Sequence, residues 1–219
     1  MTTTLITEPA KSSQDVLRTR AGAFARLAVV LVSSAQLVIC YLTVALWQQV
    51  DPIWNPVSDY AFFGPGEAWF VVAILLVLLG GLAIMVAMNN VGLRRTVTTN
   101  VLFALWAAGL LLIAVFQGNR ASNNPTLHGE IHRIAGAVFL TCLPLACWTL
   151  AKSLAADPRW AAAAGRIRHL SVAGAITAAA FGLAQAVPAL PEGILERLAL
   201  AVELILLVTL AVVVRKAAR

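Results

Sequence analysis

The sequence predicts an all-α integral membrane protein, a bundle of six transmembrane helices with both termini in the cytoplasm. Three observations carry that expectation. Of its 219 residues, 60% are hydrophobic and only 12% charged, and the mean hydropathy is +0.85, far from the balance of a soluble domain. Six stretches nearly devoid of Asp, Glu, Lys and Arg approach the roughly 20 residues that cross a hydrocarbon core as helix. Thirteen of the sixteen Lys and Arg residues fall on one side of the membrane if the six stretches alternate, and the positive-inside rule makes that side cytoplasmic. A barrel is excluded because the stretches are continuously apolar, and an open sheet would leave backbone groups unpaired in lipid.

Residues 1–25 are Thr- and Ser-rich with scattered charges and read as a disordered cytoplasmic tail, with no cleavable signal segment. Residues 26–215 form the single transmembrane domain, and 216–219 a basic cytoplasmic tail. Span one runs near Leu27 to Val50, span two near Ala68 to Met88, and span three near Val97 to Gln117. Span four, Arg133 to Ala151, contains Pro144, which leaves the Leu140 carbonyl without its usual donor and is expected to kink the helix. Span five, Leu170 to Pro188, is rich in Ala and Gly, so close backbone approach and a central place in the bundle are expected. Span six is Leu195 to Val214. Cys40, Cys142 and Cys147 all fall inside spans and read as packing residues, with no disulfide framework.

A formal charge of +6 would suit a nucleic-acid binder, but the basic residues cluster where topology needs them. The lipid bilayer, with a lipid or amphiphile as ligand, is the expected partner, and no nucleic acid. On the outer side the balance reverses, because seven of the ten acids fall there against Arg120, Arg133 and Arg197. The longest outer connection, Asp51 to Glu67, holds Trp54, Tyr60, Phe62 and Phe63 before a Gly64-Pro65-Gly66 turn. Such a loop lies on the bundle, either as an interfacial aromatic anchor or as a lid over a pocket.

His128 and His132 stand one helical turn apart at the outer start of span four, on one helix face. Two such imidazoles can share zinc, with Asp59 or Glu203 as a third ligand and water in the open position. Asp59, Glu67 and Glu203 are the candidate catalytic carboxylates of such a centre. The spacing differs from the His-Glu-x-x-His motif, since Glu130 comes two residues after His128. The plainer alternative is a pair of helix-end histidines bonded to neighbouring polar groups. Haem ligation is disfavoured because His169, the remaining histidine, belongs to the cytoplasmic side. Glu203 sits about two turns inside span six, where an unpaired carboxylate is costly, so it needs a partner. Glu196 precedes it by seven residues on the same face, and Ser58, Arg120, Arg133 and Glu196 are the candidate ligand-binding residues.

The six-span plan, the segment Asn55-Pro56-Val57-Ser58-Asp59 after span one, and His128-Gly129 ahead of an apolar span with Pro144 and a basic end at Lys152 resemble the DUF998 family of bacterial and archaeal membrane proteins. The likeness covers nearly the whole chain beyond the tail. It brings no established reaction, though the family distantly resembles eukaryotic six-span proteins linked to lipid handling and autophagy. What it implies is that Ser58, Asp59 and His128 merit testing. A looser likeness links Ser58, Asp59, His128 and His132 in residue type to membrane hydrolases such as the alkaline ceramidases and adiponectin receptors. Those have seven spans and a third histidine ligand, so the likeness is analogy.

Three functions are therefore expected in order: a non-catalytic lipid-binding or accessory protein with an outward-facing polar pocket; a metal-dependent hydrolase of a lipid or amphiphile at the outer leaflet; and a small proton- or cation-coupled transporter.

Overall fold

The computed structural model describes residues 13–119, 125–158 and 160–219. Six long helices account for nearly all of them: α1 (Ser13–Ala45), α2 (Gly66–Asn90), α3 (Val97–Val115), α4 (Leu127–Ala155), α5 (Ala161–Ala184) and α6 (Glu192–Ala217). All six are long and apolar enough to cross a membrane, and no strand occurs among the described residues. A short 3-10 helix, Val57–Phe62, lies between α1 and α2.

The helices depart from the apolar stretches at their ends: α1, α2, α4, α5 and α6 begin earlier, because intrahelical bonding continues into polar flanks, whereas α1, α3 and α5 end short of the expected limit. The largest difference is in α1, which begins at Ser13, so residues 13–25 are helical and do not belong to the expected tail. Residues 1–12 lie outside the described region. The helix ends are set by recognisable chemistry. Thr96 caps α3 by accepting from the Thr99 N–H at 3.1 Å, and Thr126 caps α4 by accepting from the Gly129 N–H at 3.1 Å. Beyond α2, Gly92 takes a φ of 67°. That left-handed residue lets the Leu93 N–H reach the Met88 carbonyl and the Gly92 N–H reach Asn89, a Schellman ending.

The helices pack in a ring of sequence neighbours, closed by contact between α1 and α6. At one end Gly22 lies beside Ala218, so the starts of α1 and the finish of α6 share what is here called the basic end. The opposite end, carrying the 3-10 helix and the starts of α2, α4 and α6, is the loop end. Small residues permit the tight seams, since a Cβ on Gly80 would stand 2.8 Å from Val32 of α1, and one on Gly109 would stand 2.9 Å from the Ala135 carbonyl of α4. The Trp106 ring lies against Gly81 and is wholly buried.

The small residues of α5 do not make it central. It packs chiefly on α4 and α6, and 28% of its apolar window is buried against 56% for α2 and for α4. Alanine and glycine permit close approach without requiring it, and here many of them border open space. Pro144 seats instead on Gly174, where a Cβ would meet its ring at 2.8 Å, so α4 and α5 touch at mid-height.

Candidate functional site

From that contact toward the loop end, α4 and α5 present exposed faces to one another. Ile134, Ala137, Thr141 and Leu145 of α4, and Ala175, Ala179 and Gly182 of α5, are exposed and line a cavity of about 1010 Å³. A Cβ on Gly182 would have no neighbour within 4 Å. The cavity therefore opens sideways between α4 and α5, toward where lipid would lie. Its other walls come from α1, α2, α3 and α6, including Ile39, Phe70, Ile74, Leu110 and Leu204. Its rim at the loop end is polar, with Ser58, Asp59, Asn119, His132, Gln185 and Glu192.

The loop after α1 forms the roof, and it is latched rather than laid loosely on the bundle. The Val57 N–H donates to Glu196 Oε2, Ile194 N–H donates to the Ile53 carbonyl at 3.0 Å, and Arg197 Nη1 donates to the Asn55 carbonyl at 2.8 Å. Arg197 Nη2 donates to Tyr60 Oη at 2.7 Å, and that hydroxyl donates to Thr43 Oγ1 at 2.9 Å. The Arg197 guanidinium also stacks over the Tyr60 ring at 5.6 Å. Gly193 makes the close approach feasible, since a Cβ there would sit 2.4 Å from the Asn55 carbonyl oxygen. The loop divides its side chains between two surroundings. Val57 and Tyr60 point into the bundle while Ile53 and Trp54 face outward. Tyr60, an expected belt residue, is fully buried.

Glu203 is 2% exposed, lines the cavity, and neither carboxyl oxygen has a hydrogen-bond partner among the described residues. It stands eleven residues into α6, about 16 Å along the axis at 1.5 Å per residue. The Trp106 indole N–H faces it, yet that nitrogen too lacks a hydrogen bond of acceptable geometry. Arg133 is not the partner that Glu203 needs, since it is exposed and pairs with Glu130 one turn earlier at 2.5 Å. Arg120 lies outside the described residues. Glu196 lines the cavity but is held by the loop backbone, with Arg197, Glu192 and Asp59 all close enough to act on its charge.

The two histidines make different contacts with Phe116. His132 borders the cavity, and its Nδ1 is hydrogen-bonded to the Phe116 carbonyl at 2.7 Å. His128 is exposed, and its ring meets the Phe116 ring edge-on with centroids 5.3 Å apart. Among the described residues no three His, Cys, Asp or Glu side chains come together as a metal-binding group. The proposed set of His128, His132 and Asp59 is thus not assembled, because Phe116 engages both rings at the edge of the bundle. Glu67 also stands apart from the cavity, accepting a 2.6 Å hydrogen bond from Gln117 Nε2 that ties α2 to α3. Ser58 and Asp59 do line it.

Reading the sequence missed Arg197 and Tyr60 as the centre of the latch. The one available signal was Gly193 beside a run of polar residues opening span six, a glycine that close approach of another backbone requires.

No curated protein and no solved structure matches the chain. A family model described as a protein of unknown function, DUF998, matches residues 30–213. That match covers α2 to α5 whole, most of α6 and about half of α1, so the chain is a membrane-spanning member of the DUF998 family.

Proposed function

We propose that this protein binds one lipid or similar amphiphile from the outer leaflet, without catalysis, as a carrier or accessory subunit. The observation that carries this reading is the cavity itself: polar at the loop end, apolar toward mid-membrane and open sideways between α4 and α5. An amphiphile has the same polarity gradient, and it reaches the cavity by sliding within the leaflet instead of leaving the membrane. The charge distribution along the chain supports an outward-facing loop end. Hydrolysis draws no comparable support, since the candidate donors do not converge among the described residues.

Native mass spectrometry of the protein released from nanodiscs tests the reading, with Ala179→Trp filling the side opening. Binding predicts a single saturable lipid adduct that Ala179→Trp removes while the protein stays folded. A featureless ladder of adducts, unchanged by the substitution, would overturn it.

A further inference from the structure

We propose that Glu203 is the binding residue for a protonated amine carried by a single-chain amphiphile, an inference that rests on the amphiphile-binding reading above. Glu203 is buried, borders the cavity, and leaves both carboxyl oxygens without a partner among the described residues. Protonating it removes the charge but leaves an O–H with no acceptor, so a proton alone does not satisfy the site. An ammonium group supplies both opposite charge and hydrogen-bond donors. Primary amines ionise near the pKa of lysine, about 10.4, and so arrive charged at neutral pH.

The rest of the lining points the same way. Its ionisable acids are Asp59, Glu192, Glu196 and Glu203, against Arg133 and Arg197. Arg133 is committed to Glu130, and Arg197 is committed through both terminal nitrogens to Asn55, Gly193 and Tyr60. Among the described residues both lining guanidiniums already donate to protein acceptors, Arg197 keeping only its buried Nε without a partner, and the lining acids outnumber them. A divalent metal is a poor fit because no third ligating side chain joins Glu203 among the described residues. The apolar walls on α4 and α5 accommodate the chain of the amphiphile alongside.

The test is photolabelling in phosphatidylcholine nanodiscs with a diazirine-bearing hexadecylamine, competed by plain hexadecylamine or hexadecanol, with the labelled residues mapped by mass spectrometry. Saturable labelling should fall on cavity residues of α4 and α6. Hexadecylamine should compete about tenfold or more better than hexadecanol, the size expected for one charge-assisted hydrogen bond. Glu203→Gln, close to isosteric, should abolish that preference while leaving competition by the alcohol unchanged. Equal competition by amine and alcohol in the wild-type protein overturns the amine assignment but leaves amphiphile binding standing. A preference that survives Glu203→Gln also overturns it. Absence of saturable labelling in the cavity overturns both.

Discussion

Arg197 on α6 and Tyr60 in the loop after α1 are joined twice, by a 2.7 Å hydrogen bond from Nη2 to the phenol oxygen and by the guanidinium lying over the ring. Through the same hydroxyl the link continues to Thr43 near the end of α1. Residues 137 positions apart thereby hold the roof of the cavity against its wall.

Tyr60→Phe keeps the ring but removes the hydroxyl that Arg197 and Thr43 share. A buried charged donor left unpaired costs about 1–3 kcal/mol, so a clear drop in thermal stability in detergent is expected. Thr43→Val should cost less, about 1 kcal/mol, and the two losses should be non-additive because they break one chain. Additive losses would show that the hydroxyl does not couple the two helices.

Gly193→Ala puts a methyl into the Asn55 carbonyl, whereas Gly182→Ala meets only open space. The first should destabilise by about 1–3 kcal/mol or more as the loop is displaced, and limited proteolysis should then cut between residues 51 and 65. Gly182→Ala should be neutral or slightly stabilising, by up to about 1 kcal/mol from helix propensity.

Glu203→Leu should stabilise the protein in the absence of ligand. A central carboxylate costs about 2–3 kcal/mol in a membrane helix, and here it makes no hydrogen bond in return. A melting temperature above wild type, together with lost amine preference in the labelling assay, is the expected pair of results. A marked fall in stability would show that Glu203 has a structural partner.

His132→Ala removes the bond to the Phe116 carbonyl and should cost about 1 kcal/mol. His128→Ala, at an exposed ring contact, should cost less. Elemental analysis of protein purified without chelators should give zinc well below one equivalent, unchanged in either variant. Near-stoichiometric zinc lost in both variants would put the hydrolase reading ahead of the non-catalytic one.

What could be read without coordinates followed from how local each property is. Span number and rough limits were legible because hydropathy is a sum over neighbouring residues. Glu203 was legible because depth along an apolar stretch is itself a sequence property. That Arg133 does not partner it was not, because Arg133 lies at the same end yet turns to Glu130, a partner only one turn away. Tyr60 reads like its exposed neighbour Trp54, and only tertiary packing distinguishes an aromatic that is wholly buried from one half in solvent. The small residues of α5 misled for a physical reason: a missing side chain is equally compatible with a touching neighbour, as at Gly174, and with a void, as at Gly182.

The closure of α1 onto α6 at both ends, by Gly22 against Ala218 and by the latched loop, gives the bundle one stiff flank. On the opposite flank α4 and α5 meet where Pro144 seats on Gly174, and toward the loop end both line the cavity, so that half acts as a compliant jaw with its fulcrum at mid-height. Thermal breathing should widen that jaw before it parts the first helix from the last. Amide hydrogen exchange should therefore run faster in the loop-end turns of α5 than in the facing turns of α1, and a bound chain should slow the former alone.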